Sequence, residues 1–307
     1  MSRAPHQNPQ PTGDNAESAE NAENAENAEN SNGAGKSDQP GEPENPEETA
    51  TQRLHRAGAA LGPGEIIARH APDDLIERFG PDAPPGVVLV HGGYWRPRVD
   101  REYLRPMAAR LAAELGPTGG SVWLVEYPRV PGDPDAGVRA LQRVRQRSGD
   151  AVWVGHSAGG HLALLTAGSA GCVSLGGLTD LERAAAADLS DGAAAEFTGE
   201  RWDPEWVPGS DAVPDNAFRR LNPIRRGFAD HTVLVHGDAD RAVPVEFSRS
   251  AADWLGKPVE YRELAGGNHF DPVDPGSSYF PQVAELIVEL SRATAAANSD
   301  TTRSAGQ

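Results

Sequence analysis

A serine set between glycines, Gly155-His156-Ser157-Ala158-Gly159, carries the strongest chemical signal in the sequence. Apolar Ala151-Val152-Trp153-Val154 precedes it and reads as a buried strand; Gly160-His161-Leu162-Ala163-Leu164-Leu165 follows and reads as a helix. A strand that turns sharply into a helix at a serine pushes the hydroxyl out at the top of a sheet, where it can act as a nucleophile. The turn is strained, and side chains at Gly155 or Gly159 would strike neighbouring backbone. A free serine hydroxyl is a poor nucleophile, so a base must take its proton and an acid must orient that base.

Groups for each of those tasks lie at the ends of other apolar runs. Val87-Val88-Leu89-Val90 ends in His91-Gly92-Gly93-Tyr94-Trp95, a turn of the kind that lends backbone N–H groups to an oxyanion. By position the donors are the N–H groups of Gly93 and Tyr94, with the N–H of Ala158, directly after the serine, as a third. Thr232-Val233-Leu234-Val235-His236 leads into Gly237-Asp238-Ala239-Asp240-Arg241-Ala242-Val243-Pro244, where two carboxylates compete. Asp240 takes the place just past the turn; Asp238 suits capping the turn through its own backbone. Val259-Glu260-Tyr261-Arg262-Glu263-Leu264 then alternates like a strand and runs into Ala265-Gly266-Gly267-Asn268-His269-Phe270, which offers His269 as general base. The order Ser157, Asp240, His269 along the chain is the order found in α/β-hydrolases.

The elements that must hold these groups follow from the pattern. Residues 65–70 and 75–79 alternate as an edge hairpin, and strands at 87–90, 122–125, 151–154, 173–175, 232–236 and 259–264 are separated by helices near 102–115, 136–147 and 160–165, with a last helix near 282–294. Strands alternating with helices imply a mostly parallel, doubly wound α/β sheet with ligands at the strand C-termini. The stretch from about 179 to 228 is too long for a crossover and reads as a cap-like insertion. Its aromatics Phe197, Trp202, Trp206 and Phe218 could either sandwich an aryl substrate or pack the insertion onto the sheet. Arg139, Arg143, Arg145 and Arg147 suit the solvated side of a crossover helix.

Composition sets the limits. Of 307 residues and a net charge of −17, residues 1–50 hold eleven acids against two bases and four copies of Ala-Glu-Asn from Ala19 to Asn30. That stretch has too little apolar surface to offset the entropy of ordering, so a disordered tail is expected over 1–50, a folded domain over 51–294, and a second short tail over 295–307. An acidic balance disfavours nucleic acid as a partner. No run approaches transmembrane length, and Met1-Ser2-Arg3-Ala4-Pro5-His6 leads into no apolar stretch, so no membrane association and a cytoplasmic location are expected. Cys172 is the single cysteine. With no His-Glu-x-x-His and with His156, His161, His231 and His236 off ligand spacing, neither a metal nor a cofactor is expected.

Together, His91-Gly92-Gly93-Tyr94-Trp95 and Gly155-His156-Ser157-Ala158-Gly159-Gly160-His161-Leu162 resemble the kynurenine formamidase (arylformamidase) branch of the α/β-hydrolases. Gly177-Leu178-Thr179-Asp180-Leu181-Glu182 and His269-Phe270-Asp271 are similar to later segments of that family, and the likeness spans roughly 85–290. The resemblance implies an α/β-hydrolase fold, a Ser157-Asp240-His269 triad and hydrolysis of an N-formyl aryl amide such as N-formylkynurenine, a small-molecule substrate. A carboxylesterase acting on small esters is the alternative, and a non-catalytic binding protein on the same fold is the outside reading. Nothing in the sequence speaks to oligomeric state.

Overall fold

A computed structural model describes residues 46–168, 171–255 and 259–305. Among the described residues eight strands form one sheet in the order β1-β2-β4-β3-β5-β6-β7-β8. They are β1 (Glu65–Ala71), β2 (Asp74–Phe79), β3 (Pro85–Val90), β4 (Ser121–Glu126), β5 (Val152–His156), β6 (Cys172–Leu175), β7 (Thr232–Gly237) and β8 (Glu260–Leu264). β1 and β2 pair antiparallel, β2 meets β4 antiparallel, and β3 to β8 run parallel. This is the α/β hydrolase fold.

Its central strands are buried on both faces, as parallel strands between helical layers must be. Val88, Val90, Trp153 and Leu234 join one apolar cluster, while Val87, Leu89, Val152, Val154, Val173 and Val235 join the other. The first cluster is covered by α3 (Pro134–Ser148) and α4 (Ala158–Thr166), the second by α1 (Pro46–Leu61), α2 (Arg105–Leu115) and α10 (Phe280–Ala305). α3 turns Val138, Leu141 and Val144 inward and starts on Pro134, with the Asp133 side chain accepting from the Ala136 N–H. Arg139, Arg143 and Arg147 are exposed on its other side, and Arg143 pairs with Asp74. α4 is buried nearly all round, so its sequence shows no polar stripe. Cys172 opens β6 beside Trp153 of β5, with its thiol fully buried.

Because β4 and β5 lie on opposite sides of β3, the loops leaving β3 and β5 diverge at a switch point, which opens a crevice at their C-terminal ends. The insertion holds four short helices, α5 (Leu181–Ala186), α6 (Leu189–Thr198), α7 (Ala217–Arg220) and α8 (Pro223–Arg226). α9 (Glu246–Leu255) then joins β7 to β8.

Both domain boundaries differ from the sequence reading. α1 starts at Pro46, inside the stretch read as the acidic tail, because Pro46, Glu47 and Glu48 also suit a helical first turn. It seats Ala50 and Leu54 in the core and pairs Arg53 with the buried carboxylate of Asp274. At the other end α10 runs to Ala305, past Ala295, since Ala295-Ala296-Ala297 favour helix and no Gly or Pro intervenes before Gly306. The tail expected over residues 1–45 lies outside the described residues. Among the described residues no helix is long and apolar enough to cross a membrane.

Candidate active site

The turn at Ser157 is as tight as its glycines imply. Ser157 sits at φ 56° and ψ −125°, a strained conformation for a residue with a side chain. A Cβ on Gly155 would lie 2.1 Å from the Gly159 carbonyl oxygen, and one on Gly159 would lie 2.2 Å from that of Val90. The serine is 3% exposed, and α4 begins at Ala158, whose N–H is among the first of the helix and has no intrahelical acceptor.

The loops that follow β7 and β8 bring Asp240 and His269 together. His269 Nδ1 lies 2.7 Å from Asp240 Oδ2, and since an ionised carboxylate only accepts, the imidazole donates. Asp240 Oδ1 takes the N–H groups of Ala242 and Val243 at 2.9 and 2.8 Å. Burial alone would push the Asp240 carboxyl up, but the electrostatic pull of the adjacent His269 and hydrogen bonds from His236 and His269 hold it well below the usual carboxylate range. His236 Nε2 is 3.1 Å from Asp240 Oδ2, and its Nδ1 is 2.7 Å from Ser248 Oγ. Sequence spacing hid this contact, because His236 reads as one more residue of an apolar strand. Asp238 does not cap its own turn: its Oδ1 accepts from the Gly266 N–H at 2.6 Å, tying the start of the His269 loop to β7.

The loop after β3 is pinned peptide by peptide. Tyr127 Oη donates to the His91 carbonyl at 2.9 Å, and the Gly92 N–H donates to Tyr103 Oη at 2.8 Å. His91 Nδ1 lies 2.8 Å from the Gly92 carbonyl and donates to it. In a trans peptide the N–H opposes the C=O, so this bond fixes the direction of the Gly93 N–H. Behind His91, its Nε2 faces Arg129 Nη1 at 2.8 Å and Glu126 Oε1 at 3.3 Å. Burial would raise the Glu126 carboxyl, but His91 and Arg129 hold it far below its ordinary value. Tyr94, at φ 48°, hydrogen-bonds through its hydroxyl to the Ala242 carbonyl on the acid loop.

Ser157, His269, Gly93 and Tyr94 line one cavity of about 150 Å³, whose walls are otherwise Val99, Tyr103, His156, Ala242, Phe270 and, from α1, Thr51 and His55. No residue of the insertion lines it. Trp95 turns away from it and stacks on Phe197 at 4.6 Å between ring centroids, while Trp202 meets Trp206 and Phe218 edge-on at 5.3 and 5.5 Å. Of the two roles open to the insertion's aromatics, packing is the one observed. Gly177–Glu182 is likewise architectural: Asp180 Oδ1 caps α5, and Glu182 binds Arg225 at 2.8 Å and the Gly209 N–H at 2.8 Å. Among the described residues no three His, Cys, Asp or Glu side chains are grouped to hold a metal.

A family profile described as the alpha/beta hydrolase family matches residues 87–280. The chain is an α/β hydrolase. No curated protein sequence matches it. Solved structures with similar folds include an acetyl ester-xyloside bifunctional hydrolase from Caldicellulosiruptor lactoaceticus, at 20% identity and TM-score 0.54 over 74% of this chain and 95% of that one. An esterase from Thermogutta terrifontis matches at 18% identity and TM-score 0.54, covering 75% and 93%. The Pyrobaculum calidifontis esterase matches at 17% identity and TM-score 0.55, covering 83% and 95%. At such identities the likeness concerns the fold of the hydrolase, which these esterases share.

Proposed function

We propose that this hydrolase is a serine carboxylesterase for esters of short acyl groups. Ser157 Oγ attacks the ester carbonyl while His269 Nε2 takes its proton; the C–O bond then breaks and His269 returns the proton to the departing alkoxide. Water repeats the sequence on the acyl-enzyme, releasing the acid and restoring Ser157. The N–H groups of Gly93, Tyr94 and Ala158 stabilise charge on the tetrahedral intermediate, each worth about 3–4 kcal/mol in comparable sites. The carrying observation is the 2.7 Å contact between His269 Nδ1 and Asp240, which commits the Nδ1 proton and leaves Nε2 as the basic nitrogen beside the cavity that Ser157 shares.

Cavity size supports the acyl limit. About 150 Å³ is below the roughly 300–1,000 Å³ of pockets for drug-sized ligands, so a formyl or acetyl group fits better than a long chain. The same size favours a second reading, cleavage of an N-formyl aryl amide, which the His91–Trp95 motif also supports. Rates on p-nitrophenyl acetate, p-nitrophenyl butyrate and N-formylkynurenine discriminate the two. The esterase reading requires kcat/KM on acetate to exceed that on the formamide; the reverse order replaces it, and no turnover of any of the three favours a binding role.

A further inference from the structure

Tyr103 and His156 take no step in the chemistry just described, yet both are buried and both line the cavity of Ser157 and His269. Tyr103 lies on the one-turn helix Arg101–Leu104, which Asp100 caps through the Glu102 N–H at 2.9 Å. That turn is anchored by ions: Arg101 and Arg105 donate to the two oxygens of fully buried Glu77 at 2.6 and 2.9 Å. Tyr103 is therefore held on a rigid support. His156 is the residue between Gly155 and Ser157, so its backbone is the nucleophile's own turn.

We propose that Tyr103 and His156 are positioning residues that lock the oxyanion loop and the His269 loop together through one directed chain of hydrogen bonds. The inference rests on the esterase reading of Ser157. Each direction in the chain is forced. The Gly92 N–H donates to Tyr103 Oη at 2.8 Å. The hydroxyl has one proton, and it goes to His156 Nδ1, also 2.8 Å away. The other ring nitrogen, Nε2, lies 2.9 Å from the carbonyl oxygen of His269, which only accepts, so Nε2 carries the proton. That tautomer needs a neutral ring, and burial together with the neighbouring His269 pushes the His156 pKa down to about 3. The His156 ring packs on both His269 and Phe270, at 4.6 and 5.3 Å between centroids. A displacement of the His269 backbone is thus passed to the peptide that precedes the Gly93 donor. A shift of about 1 Å between reacting groups costs on the order of 100-fold in rate.

The test uses the full chain, p-nitrophenyl acetate, and a trifluoromethyl ketone that adds reversibly to the serine and leaves an oxyanion in the donor site. In Tyr103→Phe, kcat falls about 10- to 100-fold with KM within about twofold, and the inhibition constant of the ketone rises by the factor by which kcat/KM falls. His156→Asn keeps an acceptor toward Tyr103 and gives up the His269 carbonyl; His156→Gln keeps a donor toward that carbonyl and gives up Tyr103. Ketone affinity is retained in the Asn variant and lost in the Gln variant, whereas the pH at half-maximal kcat moves in the Asn variant only. If all three variants turn over within about threefold of the parent, or if Asn and Gln behave alike, the two residues merely pack and the inference is overturned; the His156 pair decides the matter even where Tyr103→Phe does not fold. Ser157→Ala separates the two failures. Activity that survives it removes the esterase reading itself, while its loss alongside silent Tyr103 and His156 variants removes only the positioning role.

Discussion

Asp238 and Asp240 stand on one turn and face different partners, which makes them a sharp residue-scale test. Asp240 orients the ring of His269; Asp238 accepts from the Gly266 backbone and is exposed. Asp240→Asn is expected to lower kcat by about 10⁴-fold, because the amide cannot hold the useful tautomer, with Ser157→Ala and His269→Ala at least as severe. Asp238→Asn is expected to stay within about threefold of the parent, since an amide oxygen still accepts from an N–H. Steady-state kinetics on p-nitrophenyl acetate decide it; a larger loss at position 238 would exchange the two assignments. The positions of the two carboxylates were legible in the sequence because strand, turn and acid are neighbours along the chain. The partners of Tyr103 and Asp238 were not, because each bond joins segments far apart in the chain, and His236, though only four residues from Asp240, was hidden as one more residue of an apolar strand.

At the scale of elements, α1 is what the sequence concealed. Among its described side chains the buried stripe is Ala50, Leu54 and the close-packed Gly58; the spacing is helical, but only Leu54 is strongly apolar, so the hydrophobic signal is weak. The strands read easily for the opposite reason, being short apolar runs bounded by turns. α1 also shapes the cavity through His55, whose ring is 5.6 Å from that of Tyr103. His55→Ala should open that wall and raise kcat/KM for butyryl relative to acetyl ester, by roughly fourfold for each methylene that gains contact at about 0.8 kcal/mol. A chain-length profile identical to the parent's would show that α1 does not limit the acyl group. Deleting residues 2–50 cuts through this helix and removes buried Ala50. The thermal midpoint should then fall by about 2–4 °C for each kcal/mol lost, and calorimetry showing no change would mean that the first turn adds nothing.

For the molecule as a whole, buried neutral histidines make stability fall as pH drops below about 6.5. Burial, first of all, lowers the pKa of His156 to about 3 and of His161 to about 4, against an ordinary value of 6.5. The unfolded chain therefore takes up protons below about pH 6.5 that the native protein refuses until pH 3 to 4. Stability is fully present above that window and declines as pH falls through it, by about 2 kcal/mol per histidine at pH 5. The midpoint should accordingly drop between pH 7.5 and pH 5, and His161→Gln should flatten the drop while keeping a donor for the Leu221 carbonyl, 2.8 Å from Nε2. Parallel curves for parent and variant would put the acid sensitivity elsewhere.

The lone thiol gives this molecule a reporter of its own opening. Cys172 is fully buried, its ionisation is pushed up by that burial, and it occupies the strand between those leading to Ser157 and Asp240. A maleimide can reach it only after β6 parts from its neighbours. Labelling and loss of turnover should therefore follow a single clock if the sheet yields as one unit. Should catalysis fade first, the loops at the strand ends loosen while the sheet beneath them is still closed.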